Sequence, residues 1–308
     1  MAVAPPEPVA LKRRAAIADN RPNMTNSRWA PLVPLLAVLG SVSALGLGTS
    51  FAKQLFPLIG AQGTTALRVG FSALLMLLLF RPWRRTLQCQ DALFIARYGI
   101  ALGCMNLLFY MAIRTIPFGL AVAIEFAGPL AVAMWASRRP VDYLWLALAV
   151  TGLGLILPWR AAPGALDPVG VGYALAAALS WALYILFGKR VGHLPTGQSV
   201  SLGLGIAALV VFPFGLAHAG TSLFTPSILL FALGVALVSS AIPISLEMVA
   251  LKRLPQGVFG IMISLEPAVA ALLGLLLLDE HLSAQQWLAI ACTIAAAVGS
   301  SLTVARRA

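Results

Sequence analysis

FYMAIRTIP, residues 109–117, is echoed by EMVALKRLP at 247–255, and each is followed by a glutamate and a proline set together in an apolar run: IEFAGPLAVA at 124–133 and SLEPAVAALL at 264–273. A fainter likeness links SALGLGTSFAKQLFP at 43–57 with SWALYILFGKRVGHLP at 180–195. The chain therefore reads as two copies of one unit, 29–160 and 165–305, preceded by a polar, proline-bearing, basic segment, 1–28, that we read as a disordered cytoplasmic tail.

Outward from these motifs the composition decides the class. Of 308 residues 60% are hydrophobic and 10% charged, and the charges gather between apolar runs. A bilayer core of about 30 Å takes about 20 residues of helix, and in hydrocarbon only a helix or a closed barrel satisfies the backbone. Ten runs are placed at 31–50, 65–80, 94–113, 118–136, 143–158, 169–187, 199–217, 227–246, 256–278 and 287–304. The fold class expected is an all-α membrane protein, with ten transmembrane helices as two inverted five-helix repeats. Five spans per copy is an odd number, so the second copy enters the bilayer from the opposite side and a substrate site falls near the midplane between the halves.

Net charge is +11, which in a soluble chain would suggest nucleic acid, but the basic residues sit at the ends of apolar runs and report orientation instead. Lys12, Arg13, Arg14, Arg21 and Arg28 precede the first run, and every second connection is basic: Arg81, Arg84 and Arg85; Arg138 and Arg139; Lys189 and Arg190; Lys252 and Arg253; then Arg306 and Arg307. The alternate connections hold little beyond Lys53, Arg114 and Arg160. Both termini are expected in the cytoplasm, on a multi-pass membrane protein.

Glu125 and Glu266 fall inside the fourth and ninth runs, where an ionised side chain at the bilayer centre costs at least about 2.5 kcal/mol. Burial disfavours the charged form of a carboxyl group, so such a residue holds a proton at neutral pH and surrenders it when water or a cation arrives. Pro129 and Pro267 each remove a backbone donor, leaving carbonyls free to bind or creating a kink for a moving gate. Glu247 stands about one turn from Lys252 near a span end, open to a site role or to an interfacial ion pair. Lys53 and Arg68 lie near the expected outer ends of their spans, where they could meet a substrate carboxylate or snorkel to headgroups. Asn106, Tyr110, Trp181 and Tyr184 offer hydrogen-bonding and aromatic surface for a cavity that takes an ammonium, or for packing. Gly99 and Gly103 form a GxxxG stripe compatible with a monomer or a homodimer.

No GxxxxGK[ST] loop is present, and His193, His218 and His281 are dispersed, as are Cys89, Cys104 and Cys292. Neither ATP hydrolysis by that route, a metal cluster, a catalytic triad nor a cofactor is indicated, and the chain is not read as an enzyme. The connections leave no room for the soluble domain of a receptor. Transport driven by a gradient is the class that fits.

In FAKQLFPLIGAQGTTALR (51–68), MNLLFYMAIRTIPFGLAVAIEFAGPLAVAMWASRRPVD (105–142), SWALYILFGKR (180–190), IPISLEMVALKRLP (242–255) and SLEPAVAALLG (264–274) the chain resembles the drug/metabolite transporter superfamily, with two EamA-type halves. The resemblance runs from about residue 30 to about 304. It implies export of small amino acids, threonine and homoserine among them, driven by a proton gradient, with amino-acid substrate, protons and the lipid bilayer as partners. Same-fold carriers of aromatic amino acids, purines or cationic drugs are the alternative. A zwitterion would suit these residues, its ammonium on Glu125 or Glu266 in competition with a proton.

Overall fold

The computed structural model describes residues 32–84, 86–116, 118–156, 167–266, 269 and 284–305, and among them every regular element is helical. Twelve α-helices are described: α1 Val33–Ala52, α2 Phe56–Phe80, α3 Cys89–Ala112, α4 Phe118–Glu125, α5 Ala127–Ala136, α6 Pro140–Ile156, α7 Pro168–Arg190, α8 Thr196–Ala219, α9 Pro226–Ala236, α10 Ile242–Arg253, α11 Gln256–Ile263 and α12 Ala284–Ala305. The expected tail 1–28, Pro267, Arg160, His281 and the outer part of the ninth run lie outside the described residues.

Among the described residues, five helical stretches are long and apolar enough to cross a membrane: Phe56–Arg84, Cys89–Ala112, Pro168–Arg190, Thr196–Phe224 and Pro226–Arg253. Shorter apolar helices occupy Val33–Thr49, Ala127–Ala136, Pro140–Leu155 and Trp287–Ser300. Their surface is inverted relative to a water-soluble protein. Leu209, Leu230 and Trp135 are exposed whereas Arg68, Glu125 and Glu247 are buried, as a hydrocarbon solvent requires.

The helix breaks follow from single residues. Pro129 has no N–H to return to the carbonyl of Glu125, and the helix is interrupted at Phe126 between α4 and α5. Pro243 likewise leaves the carbonyl of Ser239 without its helical donor, and a π-turn, Leu237–Ala241, intervenes between α9 and α10. α11 stops at Ile263, just before Glu266. Each of the three intramembrane glutamates therefore sits in or beside an interrupted helix.

α2 begins nine residues earlier than the run placed at 65–80. Pro57 stands in its first turn and Gly60 takes φ 68°, a left-handed conformation that glycine adopts without steric cost, so the chain bends and continues as helix. The hydroxyls that follow are satisfied inside the helix: that of Thr64 donates to the Gly60 carbonyl and that of Thr65 to the Ala61 carbonyl, both at 2.8 Å. Arg68 is thereby carried to the middle of a helix rather than to its end.

α2 packs along α8, α3 lies against α7 and α8, α5 against α7 and α11, and α6 against α12. α1 reaches α10 through the hydroxyl of Ser41. At the basic end, Lys189 of α7 donates to the carbonyls of Leu251, Lys252 and Leu254, filling acceptors that α10 leaves open at its C-terminus. Lys252 reciprocates, donating to the carbonyl of Leu194 and to the Thr196 hydroxyl. Replacing Lys189 by Met leaves those carbonyls without their cation. It is expected to destabilise the detergent-solubilised protein by about 2 kcal/mol, read as a lowered thermal midpoint.

At the other membrane face Asp167 caps α7, accepting from the Val169 N–H at 3.0 Å. That bond holds its carboxyl below the usual carboxylate range. The folded state is thus favoured while Asp167 is ionised, and the contribution is lost as pH falls through the lowered folded value.

Candidate functional site

The breaks in α4, α9–α10 and the end of α11 converge on one cavity of about 80 Å³, room for several water molecules. Arg68, Asn106, Tyr110, Glu125, Trp181, Glu247 and Glu266 line it together. Residues from both sequence halves are thus brought to one place. Tyr184 stands one bond behind the wall, its hydroxyl donating to Glu247. Lys53 falls in a short 3₁₀ turn, Lys53–Leu55, and its side chain lies outside what is described. Thr49, Ser239 and Pro243 also line the cavity and were not singled out by sequence reasoning. Pro243, a helix breaker in an apolar run, was the signal that could have found them.

Arg68 is 3% exposed, which removes the snorkelling reading. Its guanidinium donates to the side-chain oxygen of Asn106 and, at 3.4 Å, to the carbonyl of Ser239, the acceptor that Pro243 leaves vacant. Asn106 is itself fixed by donating to the Leu102 carbonyl at 2.8 Å. The guanidinium carbon lies 4.7 Å from the centroid of the Tyr110 ring. These contacts orient the cation without neutralising it. Among the described residues no carboxylate closes an ion pair on Arg68.

Glu247 is the most fully engaged of the three acids. One oxygen accepts from the Ser41 hydroxyl and the other from the Tyr184 hydroxyl, each at 3.0 Å. The Tyr184 ring stacks on Tyr98 with centroids 5.1 Å apart. The ion pair with Lys252 does not form, because Lys252 turns to Leu194 and Thr196 at the helix end. Glu266 differs: its Oε2 is buried without a hydrogen-bond partner among the described residues, as are the Tyr110 hydroxyl, the Trp181 indole N–H and Nε of Arg68. Trp181 is held edge-on to Phe126, the break residue, at 5.0 Å.

Chemically, among the described residues the cavity lining offers a guanidinium whose Nε has no partner, two further unpartnered donors and an unpartnered carboxyl oxygen. Buried polar groups left unpaired are costly, so the set is complementary to a small polar guest carrying both charges. The carboxyls outnumber the guanidinium three to one, which leaves room for added positive charge as well.

The EamA-like transporter family model matches residues 168–302. The chain is 46% identical over 278 residues to the threonine/homoserine exporter RhtA of Salmonella typhimurium strain SL1344, spanning 90% of this chain and 93% of that protein. It is likewise 46% identical over 276 residues to RhtA of Escherichia coli K12, spanning 90% and 92%. A crystal structure 20% identical in sequence superposes with a TM-score of 0.70, covering 91% of this chain and 99% of the other, a likeness of fold alone.

Proposed function

The chain belongs to the EamA-like transporter family, and from that premise we propose that it exports small hydroxyl-bearing amino acids, threonine and homoserine, from the cytoplasm by proton antiport with alternating access. The observation that carries the reading is the pairing of a buried, oriented Arg68 with unpartnered acceptor and donor atoms in one cavity. Arg68 and the Tyr110 hydroxyl receive the substrate carboxylate; Glu266 and Glu125 receive its ammonium; the Trp181 N–H suits a side-chain hydroxyl.

Alternating access needs two halves related by symmetry about this cavity. The packing supports such a frame. α2 with α8, α5 with α11 and α6 with α12 each join a helix of residues 29–160 to its counterpart in 165–305. The contact of α3 with α8 has its counterpart in that of α9 with α2. The basic connections favour both termini in the cytoplasm, and antiport against an inward proton gradient makes export the direction in which that gradient does work.

The test is uptake of radiolabelled threonine into inside-out vesicles with and without an interior-acid gradient, with homoserine and phenylalanine as competitors. Gradient-dependent uptake blocked by homoserine is expected; uptake blocked only by phenylalanine would move the substrate to the aromatic amino acids. In the same vesicles the Glu125→Gln, Glu266→Gln double variant is expected to lose threonine transport at least about a hundredfold, since two charge-assisted bonds to the ammonium become neutral ones. Transport at the original rate would remove both glutamates from the site.

A further inference from the structure

Glu247 is held in a way that Glu125 and Glu266 are not. Ser41 Oγ lies 3.0 Å from Glu247 Oε1 and 3.1 Å from the carbonyl oxygen of Pro243. A hydroxyl has one hydrogen, and a carbonyl can only accept. With Glu247 ionised, Ser41 gives that hydrogen to Oε1. With a proton on Oε1, the new O–H donates to Ser41 Oγ and Ser41 turns its hydrogen to Pro243, while Tyr184 continues to donate to Oε2 at 3.0 Å. Both states are fully hydrogen-bonded. A proton enters from cavity water, forms an O–H bond at Oε1 and returns to water, without leaving a buried polar atom unmade in either state.

We infer that Glu247, gripped by the Ser41 hydroxyl and Tyr184, carries the coupling proton, and that this role is separate from the ammonium-binding role of Glu125 and Glu266. The inference rests on the proton-antiport reading above. The polar and titratable groups around Glu247 come from six places in the fold: Ser41 from α1, Arg68 from α2, Tyr98 from α3, Glu125 from α4, Tyr184 from α7 and Glu266 beyond α11. Among these, Ser41 and Tyr184 touch the carboxyl directly, and they belong to different sequence halves. The proton site therefore ties α1 and α7 to α10 in both of its states. Arg68 is engaged by Asn106 and Ser239, so Glu247 does not owe its setting to a salt bridge.

The experiment compares two modes of threonine movement in inside-out vesicles bearing the full chain: accumulation driven by an interior-acid gradient, and gradient-free exchange against preloaded threonine across a range of pH. Glu247→Gln is expected to lower driven accumulation by about tenfold or more and to flatten the pH profile, while exchange persists. Ser41→Ala, which keeps the acid, is expected to displace the midpoint of the exchange profile to the alkaline side, because a charge-assisted bond to the carboxylate is lost. A Glu247→Gln protein that still accumulates threonine under the gradient overturns the inference. So does parallel loss of both modes together with a Ser41→Ala profile that coincides with wild type, which is the signature of a structural role. Wild-type vesicles that carry no threonine in either mode overturn the exporter reading itself, and the inference with it.

Discussion

Arg68→Ala is expected to lower threonine exchange by about three orders of magnitude, more than any other single change at the cavity. The guanidinium is buried at the centre of α2 and oriented from three sides: Asn106, the Ser239 carbonyl and the face of Tyr110. Removing it takes away the group proposed to meet the substrate carboxylate and also leaves three carboxyls in a cavity with no fixed cation. Loss of one partner from a buried charged set typically costs about 3–5 kcal/mol. Arg68→Lys is not expected to restore function. An ammonium is a compact point charge and has no planar fork with which to reach Asn106, Ser239 and a carboxylate at once. Exchange of radiolabelled threonine, normalised to the amount of protein in the membrane, reads the effect. A lysine variant that exchanges at the wild-type rate would show that charge alone, without orientation, suffices at this position.

The same residue shows where sequence reasoning reached and where it stopped. An apolar window starts the second run at Thr65, because Gln62, Gly63 and Thr64 before it lower the hydropathy, and that puts Arg68 near the outer end of the run. The threonines instead fold their hydroxyls back onto carbonyls one turn earlier, and the helix starts at Phe56. Polarity is paid off locally, a fact that no hydropathy window registers. Glu125 and Glu266 were legible because a carboxylate in an apolar run stands out against its cost. For Glu125 the spacing to a proline was informative too: at Pro129 the missing donor falls opposite the carbonyl of Glu125 itself.

Glu247 was half legible. Its nearness to Lys252 suggested an ion pair, yet a spacing of five residues places the two on different sides of a helix, whereas pairs three or four apart meet. Ser41 was invisible in the sequence. A serine in a run of Val, Leu and Gly has no distinguishing neighbour there, and its importance appears only once α1 is laid against α10. Pro243 could have been read as a break, but not the π-turn beside it or the carbonyl that it leaves for an arginine far away in the chain.

Gly128→Ala is expected to destabilise the protein by about 3 kcal/mol and to disable the cavity at the same time. A Cβ at this position would lie 2.0 Å from the backbone carbonyl oxygen of Ala178, where α5 crosses α7. Backbone of two packed helices cannot swing aside as a side-chain tip can, so relief requires the helices to separate, and overpacking of this kind costs about 1–3 kcal/mol. The crossing lies three residues from Glu125 and three from Trp181, and the intervening Phe126 packs its ring edge-on against the Trp181 indole. Separating α5 from α7 therefore pulls the break at Phe126, with Glu125 beside it at the end of α4, away from Trp181. Thermal unfolding of the detergent-solubilised protein should show the stability loss, and threonine exchange measured below the new midpoint should remain depressed. Full exchange at low temperature in a destabilised variant would mean that the crossing supports the fold without setting the geometry of the cavity. If instead both fall together, the small residue at 128 is what allows Glu125 and Trp181 to face the same guest.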